Sequence, residues 1–561
     1  MTFADLRLRR LAAIGFALLA ACSTDPVDPP PDDELDAPTG VTVQATSSTT
    51  ATVSWSAVPD ATSYRVERAQ GAASFVEAGN STTTSFNDSG LNPNTTYRYR
   101  VRASNASASS EFSGEANVVT PPPEVPTVEV TADITANTTW GPPNVYVLKG
   151  FIHVANGATL TIQPGTKIIG DFSTVGSSLF VLRGAQINAQ GTAQNPIVFT
   201  SSRTEGQRQA GDWGGLIIVG NGIINRGVPV ILEGTGTTGN PEVDYSGGNN
   251  NADNSGILRY VRVEFAGYAT APDQELNSFT FAAVGSGTQC DHLQSLNGLD
   301  DSFEFFGGAM DCFNLVSYNS GDDHFDMSEG YLGRLQYVIA FQTRQVIPRP
   351  AAGNVSSDPQ GIENDGCAGA NCNNGQTSLP FNVPLVANFT LVGPPATVDF
   401  GSGGSGMMLR RGTGGYYVNG VIARWGRAGF SLRDQTTLDR IGDGNLLLRN
   451  ILVMETPLMF QPAAGGTVQG EVDLNANSIE DLHATPVAGV FLNVPGAEPA
   501  NGAVLDWEPP AASPAADGGT LGFPAAVQAK AAGVIVPTLY RGAAGPLLPK
   551  WWAGWTYFAV N

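Results

Sequence analysis

The 561-residue chain carries 51 Asp and Glu against 29 Lys and Arg, a formal charge of −22, which excludes nucleic acid as a partner because phosphate binding needs clustered cations. Its 67 glycines, its near absence of lysine and its lack of long helical periodicity favour strands joined by turns over helices. Beyond the N-terminal segment no run is apolar enough to span a bilayer.

The chain opens as an export signal, residues 1–21. Arg7, Arg9 and Arg10 form a basic head and Leu11 to Ala21 an apolar stretch too short for a stable membrane span. The run Leu19-Ala20-Ala21-Cys22 resembles the lipobox of bacterial lipoproteins. The resemblance implies cleavage before Cys22, acylation of that cysteine and membrane attachment through the acyl chains, each buried CH₂ contributing about 0.8 kcal/mol. Ser23 rather than Asp follows the cysteine, so by analogy the outer membrane is the expected address. Residues 22–36 read as an acidic, Pro-rich tether with no core of its own. With Cys22 set aside, an even number of cysteines remains in an exported chain, and two disulfides are expected: Cys290–Cys312 and Cys367–Cys372.

Residues 37–121 alternate apolar and polar positions in short runs such as Thr52-Val53-Ser54-Trp55 and Tyr64-Arg65-Val66, at the spacing of an all-β sandwich. Leu91-Asn92-Pro93-Asn94-Thr95-Thr96-Tyr97 resembles the tyrosine corner of a fibronectin type III domain, with Trp55 as the core tryptophan. The resemblance implies a spacer or docking module. Pro121-Pro122-Pro123 closes it as a linker.

From residue 125 to 561 apolar strands recur about every twenty residues with Gly and Asn turns between them, the mark of a solenoid whose rungs bury their faces on one another. The phrases GATLTIQPGTKIIG and AQGTAQNPIVFTS resemble the opening rungs of bacterial right-handed parallel β-helix proteins. A shift of 22 residues places Phe281 on Phe303 and Phe303 on Phe325, Cys290 on Cys312, and Asn297 on Asn319. Parallel strands about 4.8 Å apart put two cysteines within disulfide reach, and the phenylalanines in one internal stack. NGLDDSFEFFGG, NSGDDHFDMSEG and the closing WWAGWTYFAVN resemble a family of uncharacterised envelope β-helix lipoproteins, which implies fold and location rather than chemistry. The fold expected is all-β: an N-terminal sandwich, then a large right-handed parallel β-helix whose aromatic C-terminus covers the open end.

The same register stacks Asp300 on Asp322, Asp301 on Asp323, Ser302 on His324 and Glu304 on Asp326. Strand alternation turns Phe303 and Phe305 inward, so Asp300, Ser302 and Glu304 are expected to face outward, as are Asp322, His324 and Asp326. Asp301 and Asp323 take the other parity and are expected to cap backbone amides at the corner. Two carboxylates about 5 Å apart repel by roughly 1 kcal/mol in water and about 3 at an effective dielectric near 20. Ca²⁺ bridging Asp300, Glu304, Asp322 and Asp326 relieves that cost, as does a carboxyl kept protonated, which is what a general acid needs. Glu363 and Asp365 are placed in a loop pinned by Cys367–Cys372.

Three readings follow. The leading one is an envelope lipoprotein whose β-helix binds a polysaccharide or another envelope component, assisted by Ca²⁺. The second is a glycoside hydrolase or polysaccharide lyase in which Asp300, Asp322, Glu304 and Asp326 are catalytic. Gly321-Asp322-Asp323 resembles the Asp-Asp pair of polygalacturonase-like hydrolases, but the Asn-Thr-Asp, Gly-His-Gly and Arg-Ile-Lys motifs of that family are missing. A lyase would need a Lys or Arg base beside Ca²⁺, for which Arg334 and Arg344 are candidates. The third is a structural coat protein.

Overall fold

A computed structural model describes residues 34–560 except 238, 273, 368–370, 463–471 and 496–497. Cys22, the signal segment and nearly all of the tether lie outside the described residues. Two compact units divide at Glu124 and Val125.

In the first unit an antiparallel three-stranded sheet (Thr42–Ser47, Thr50–Ser54, Ser85–Ser89) and a four-stranded sheet centred on Ser63–Gln70 and Thr96–Ser104 form a sandwich. Alternation along Thr96–Ser104 buries Tyr97, Tyr99, Val101 and Ala103 against Trp55, Tyr64 and Val66. The Asn92 amide donates to Tyr97 Oη at 2.9 Å, closing the tyrosine corner that the sequence announces.

The second unit is a parallel β-helix. Among the described residues one sheet of nine strands runs from Phe151–Val154 to Ala428–Leu432, all paired in parallel, alongside a longer seventeen-stranded sheet. Its core is the row of inward residues of both sheets, among them Leu293, Phe303, Leu315, Phe325, Val338 and Ile362. No helix among the described residues is long and apolar enough to cross a membrane.

Strands Gln289–Leu296 and Asp311–Tyr318 pair with Cys290 opposite Cys312 and Leu293 opposite Leu315, the 22-residue register read from sequence. Both disulfides are present, Cys290–Cys312 with Cα atoms 4.6 Å apart and Cys367–Cys372 with 5.9 Å. Closing a 22-residue loop removes enough freedom from the unfolded chain to stabilise the fold by about 3 kcal/mol. The double variant Cys290→Ser/Cys312→Ser is therefore expected to unfold at lower urea concentration by that free energy; an unchanged midpoint would mean that the sheet alone sets the rung spacing.

One part of the register is corrected. Phe303 does lie on Phe325, with ring centroids 5.1 Å apart, but its other neighbour is Phe279 at 4.9 Å, and Phe281 pairs instead with Phe305. The turn between Phe279–Ala282 and Gln289–Leu296 is two residues longer than the one between Phe303–Phe306 and Asp311–Tyr318, so the repeat there is 24. The aromatic C-terminus is corrected too. Trp552, Trp555 and Phe558 cover the flank of the solenoid, packing with Leu296, Tyr318 and Phe341, which point out from the long sheet. Gln294 fixes this strap by donating to Tyr557 O and accepting from the Tyr557 amide.

Candidate functional site

The corners at residues 297–302 and 319–324 turn the chain from the long sheet into the nine-stranded one. Asn297 and Asn319 open them with φ of 52° and 54°, a left-handed conformation that asparagine tolerates. Gly321 lets one corner settle on the other, since a Cβ there would lie 1.8 Å from Leu299 O. Asp301 and Asp323 then cap as expected. Asp301 Oδ1 accepts from the Asp323 amide at 2.8 Å, and Asp323 Oδ1 accepts from the Gln360 amide of the next rung.

Beyond the corners, Glu304 stands opposite Asp326 and Asp326 opposite Glu363 on three successive strands. Asp300, Asp322, Glu304 and Asp326 meet in one cavity of about 340 Å³, which Asp301, Asp323, Glu363 and Asp365 also line. In all, twelve carboxylates line this cleft against three guanidiniums, those of Arg226, Arg410 and Arg411. Three of the carboxylate triads hold their oxygens within 4.8 Å of one another: Asp300/Asp301/Asp322, Asp301/Glu304/Asp326 and Asp323/Asp326/Glu363. The cleft adjoins a second hollow of about 640 Å³, which shares Glu275, Asp300 and Asp322 and is otherwise walled mainly by small uncharged residues such as Ala269, Pro272, Ala351 and Val355.

The three guanidiniums are all held in ion pairs. Arg410 pairs with Glu363 and, through Nε, with Asp365 at 2.8 Å, while Arg411 also pairs with Asp365. Arg226 pairs with Glu329, whose other oxygen accepts from Tyr245 Oη at 2.5 Å. Asp322 Oδ1 and Asp326 Oδ1 are enclosed and accept no hydrogen bond. Burial first, and then the neighbouring carboxylates, hold Asp300, Asp301, Glu304, Asp323, Asp326 and Glu363 well above the usual carboxylate range. Burial pushes Asp322 up to about 6, against an opposing hydrogen bond from Ser356.

Two outward assignments fail. Ser302 and His324 point into the solenoid, where Ser302 Oγ lies 2.7 Å from Ser317 Oγ, which lies 2.6 Å from His324 Nδ1. Strand alternation begins only at Phe303 and Phe325, so the residue before each belongs to the corner and escapes it. His324 is 1 % exposed, lies edge-on to Trp425, and burial pushes its pKa down to about 3, so it is a neutral core residue. Glu363 and Asp365 are likewise on a strand, Ile362–Asp365, rather than in a loop. Arg334 and Arg344 stand away from the cleft, paired with Asp311 and Glu498.

Of the residues missed by sequence reasoning, Arg226, Arg410 and Arg411 come from rungs whose spacing departs from 22, while Glu329 directly follows Phe325–Ser328 on the 22-residue register itself. Asp326 and its rung neighbour Glu363 are 37 positions apart, and Asp365 pairs with Arg410 across 45. The usable signal was the alternation Ile362-Glu363-Asn364-Asp365, which repeats that of Phe325-Asp326-Met327-Ser328.

Similar proteins extend the description. Exoglucanase B of Cellulomonas fimi is 33 % identical over 168 residues, 29 % of this chain and 13 % of its own. A poly(3-hydroxybutyrate) depolymerase of Ralstonia pickettii is 46 % identical over 67 residues, 12 % of this chain and 13 % of its own. The chain thus spans about an eighth of the length of each of these curated relatives. Among solved structures, titin kinase with its flanking domains is 26 % identical over 16 % of this chain and 17 % of that one, with a TM-score of 0.15. Residues 36–119 match the fibronectin type III domain. Residues 132–487, more than half of the sequence, match the pectate-lyase-like β-helix domain, and the chain belongs to that family.

Proposed function

We propose that the acidic cleft binds divalent cations, Ca²⁺ above all, and through them an anionic polysaccharide or another anionic component of the cell envelope. The observation that carries this reading is the imbalance of twelve carboxylates against three guanidiniums in one enclosed space. Stacked carboxylates at rung spacing repel by about 3 kcal/mol per pair at an effective dielectric near 20, and a hard cation with oxygen ligands converts that cost into binding. Asp300, Asp322, Glu304 and Asp326 are the proposed ligands, and Asp322 Oδ1 and Asp326 Oδ1 have no protein donor to satisfy them. The adjoining groove, uncharged apart from the three carboxylates it shares with the cleft, suits the rings of a sugar chain whose acidic groups face the metal. In this reading the chain is exported and held at the outer membrane by lipid on Cys22, with the sandwich as spacer.

Catalysis is the second reading, favoured by the family and by the glucanase and depolymerase names of the short matches. A lyase base must give up its proton near the working pH. Asp365 and Glu363 hold Arg410 above its ordinary value despite its burial, which argues for charge pairing instead of base chemistry there.

Calorimetric titration of the full chain with Ca²⁺ is expected to show binding, and saturation at about a hundred times Kd to stabilise by roughly 2.7 kcal/mol per site. Asp300→Asn/Asp322→Asn is expected to lose a site and, freed of repulsion, to melt higher than wild type in chelator. A variant that keeps the wild-type stoichiometry and thermal shift sinks the cation reading. Acidic glycans retained in Ca²⁺ and released by chelator without shortening support binding; shortened chains or unsaturated ends support the enzyme.

A further inference from the structure

A third cavity, of about 440 Å³, shares no lining residue with the acidic cleft and has the opposite electrostatic character. It lies on the outer face of the long sheet. Strand Lys167–Gly170 pairs with Ile197–Ser201, and that strand pairs with Gly256–Glu264, so that Lys167, Val198 and Arg262 share one row across three rungs. Ile168, Phe199, Val261 and Val263 turn into the core, which leaves Lys167, Val198 and Arg262 facing out. The two cations therefore rise from backbones roughly 10 Å apart, with Val198 between them as an apolar floor. Arg208, from the connection after Ile197–Ser201, enters the same space, and Tyr557 of the C-terminal strap lies 5.5 Å from the Arg262 guanidinium.

The carboxylates there do not match the cations. Glu264 is 2 % exposed and accepts from Arg262 at 3.0 Å while facing Arg208 at 3.7 Å, so one buried carboxylate serves two guanidiniums. Glu205 is engaged by Tyr557 Oη at 2.8 Å. Lys167 forms no ion pair or hydrogen bond among the described residues, and burial together with Arg208 holds its pKa below the ordinary value, against the pull of Glu264 and Glu205. Thr200, 1 % exposed, presents to the same cavity a hydroxyl that has no partner.

We infer that this cavity is an oxyanion site, taking a carboxylate or sulfate group of an acidic sugar between Lys167 and Arg208 with the Thr200 hydroxyl as a further donor. Among the described residues, paired charges elsewhere leave this ammonium as the one lysine without an anionic or carbonyl partner. Lys149 pairs with Glu129, Lys550 with Asp506 and Glu508, and Lys530 donates to Leu332 O. The inference does not depend on cation binding in the acidic cleft, because the two cavities share no residue.

The chain has only four lysines, which makes acetylation footprinting read by peptide mass spectrometry a direct test on the full-length protein. In chelator, so that no cation bridge operates, inorganic sulfate or a trigalacturonate at about ten times Kd is expected to slow acetylation of Lys167 about tenfold and to leave Lys149 unchanged. Protection by the trigalacturonate at lower concentration than sulfate assigns the site to a sugar acid, and protection by sulfate alone assigns it to a free ion. Arg208→Gln is expected to abolish the protection while Lys167 remains reactive and the melting curve holds. Lys167 labelled at the same rate with every anion, or full protection persisting in Arg208→Gln, overturns the site.

Discussion

Stripped of divalent cations, the protein is expected to lose several kcal/mol of stability as the pH rises from about 4 through about 6 and beyond, and to recover most of it in excess calcium. A carboxyl whose pKa is raised in the fold keeps a proton that the unfolded chain has already released. Between the unfolded and folded values the native state therefore binds more protons, and stability falls as pH rises through that window. Asp322, moved from 3.8 to about 6, accounts on its own for about 3 kcal/mol at 1.36 kcal/mol per unit. Asp300, Asp301, Glu304, Asp323, Asp326 and Glu363 shift the same way and extend the loss to higher pH as coupled steps. His324 works against them. Its imidazole stays neutral in the core down to about 3, so it adds stability as pH climbs towards the free value of 6.5 and nothing above it. One imidazole against seven carboxyls does not reverse the slope. Thermal melts in chelator and in calcium at several pH values check this, and a melting point in chelator that is level or rising above about pH 5 would refute the assignment of these carboxyls.

Phe303→Ala is expected to cost about 3–5 kcal/mol and to weaken calcium binding at the same time. The ring is fully buried between Phe279 and Phe325, stacked nearly parallel to both, and each stacked pair contributes about 0.5–1.5 kcal/mol beyond area burial. Removing it opens a void directly behind Glu304, the adjacent residue on the same strand and the centre of one carboxylate triad. Phe303→Leu refills much of that space and should recover most of both losses. Denaturant unfolding and calcium titration of the two variants would show it; an alanine variant as stable as wild type would mean that the rungs do not rely on the aromatic stack.

The sequence carried the architecture because a solenoid writes its geometry as a repeat. Cys290 and Cys312, Asn297 and Asn319, and Phe303 and Phe325 each name the same rung spacing, and the corner and ladder acids follow from it. Legibility stopped where the repeat did. The 37 positions from Asp326 to Glu363 conceal that the two are neighbours, and with them the arginines that close the cleft. Ser302 and His324 were misassigned for a different reason, because period-two alternation holds along strands and lapses at corners. The C-terminal aromatics announced themselves as a cover, but only the outward-facing row of Leu296, Tyr318 and Phe341 decides what they cover.

The turn at residues 283–288, longer by two than its counterpart at 307–310, has an implication for how such a coil tolerates change. The surplus is absorbed in the bend itself, since Phe279–Ala282 still pairs in register with Phe303–Phe306 before it and Gln289–Leu296 with Asp311–Tyr318 after it. Length variation in that bend is thus uncoupled from the charged neighbourhood. A single residue added within 298–301 or 320–323 enjoys no such insulation: it would slide one acid past the next and dismantle every triad together.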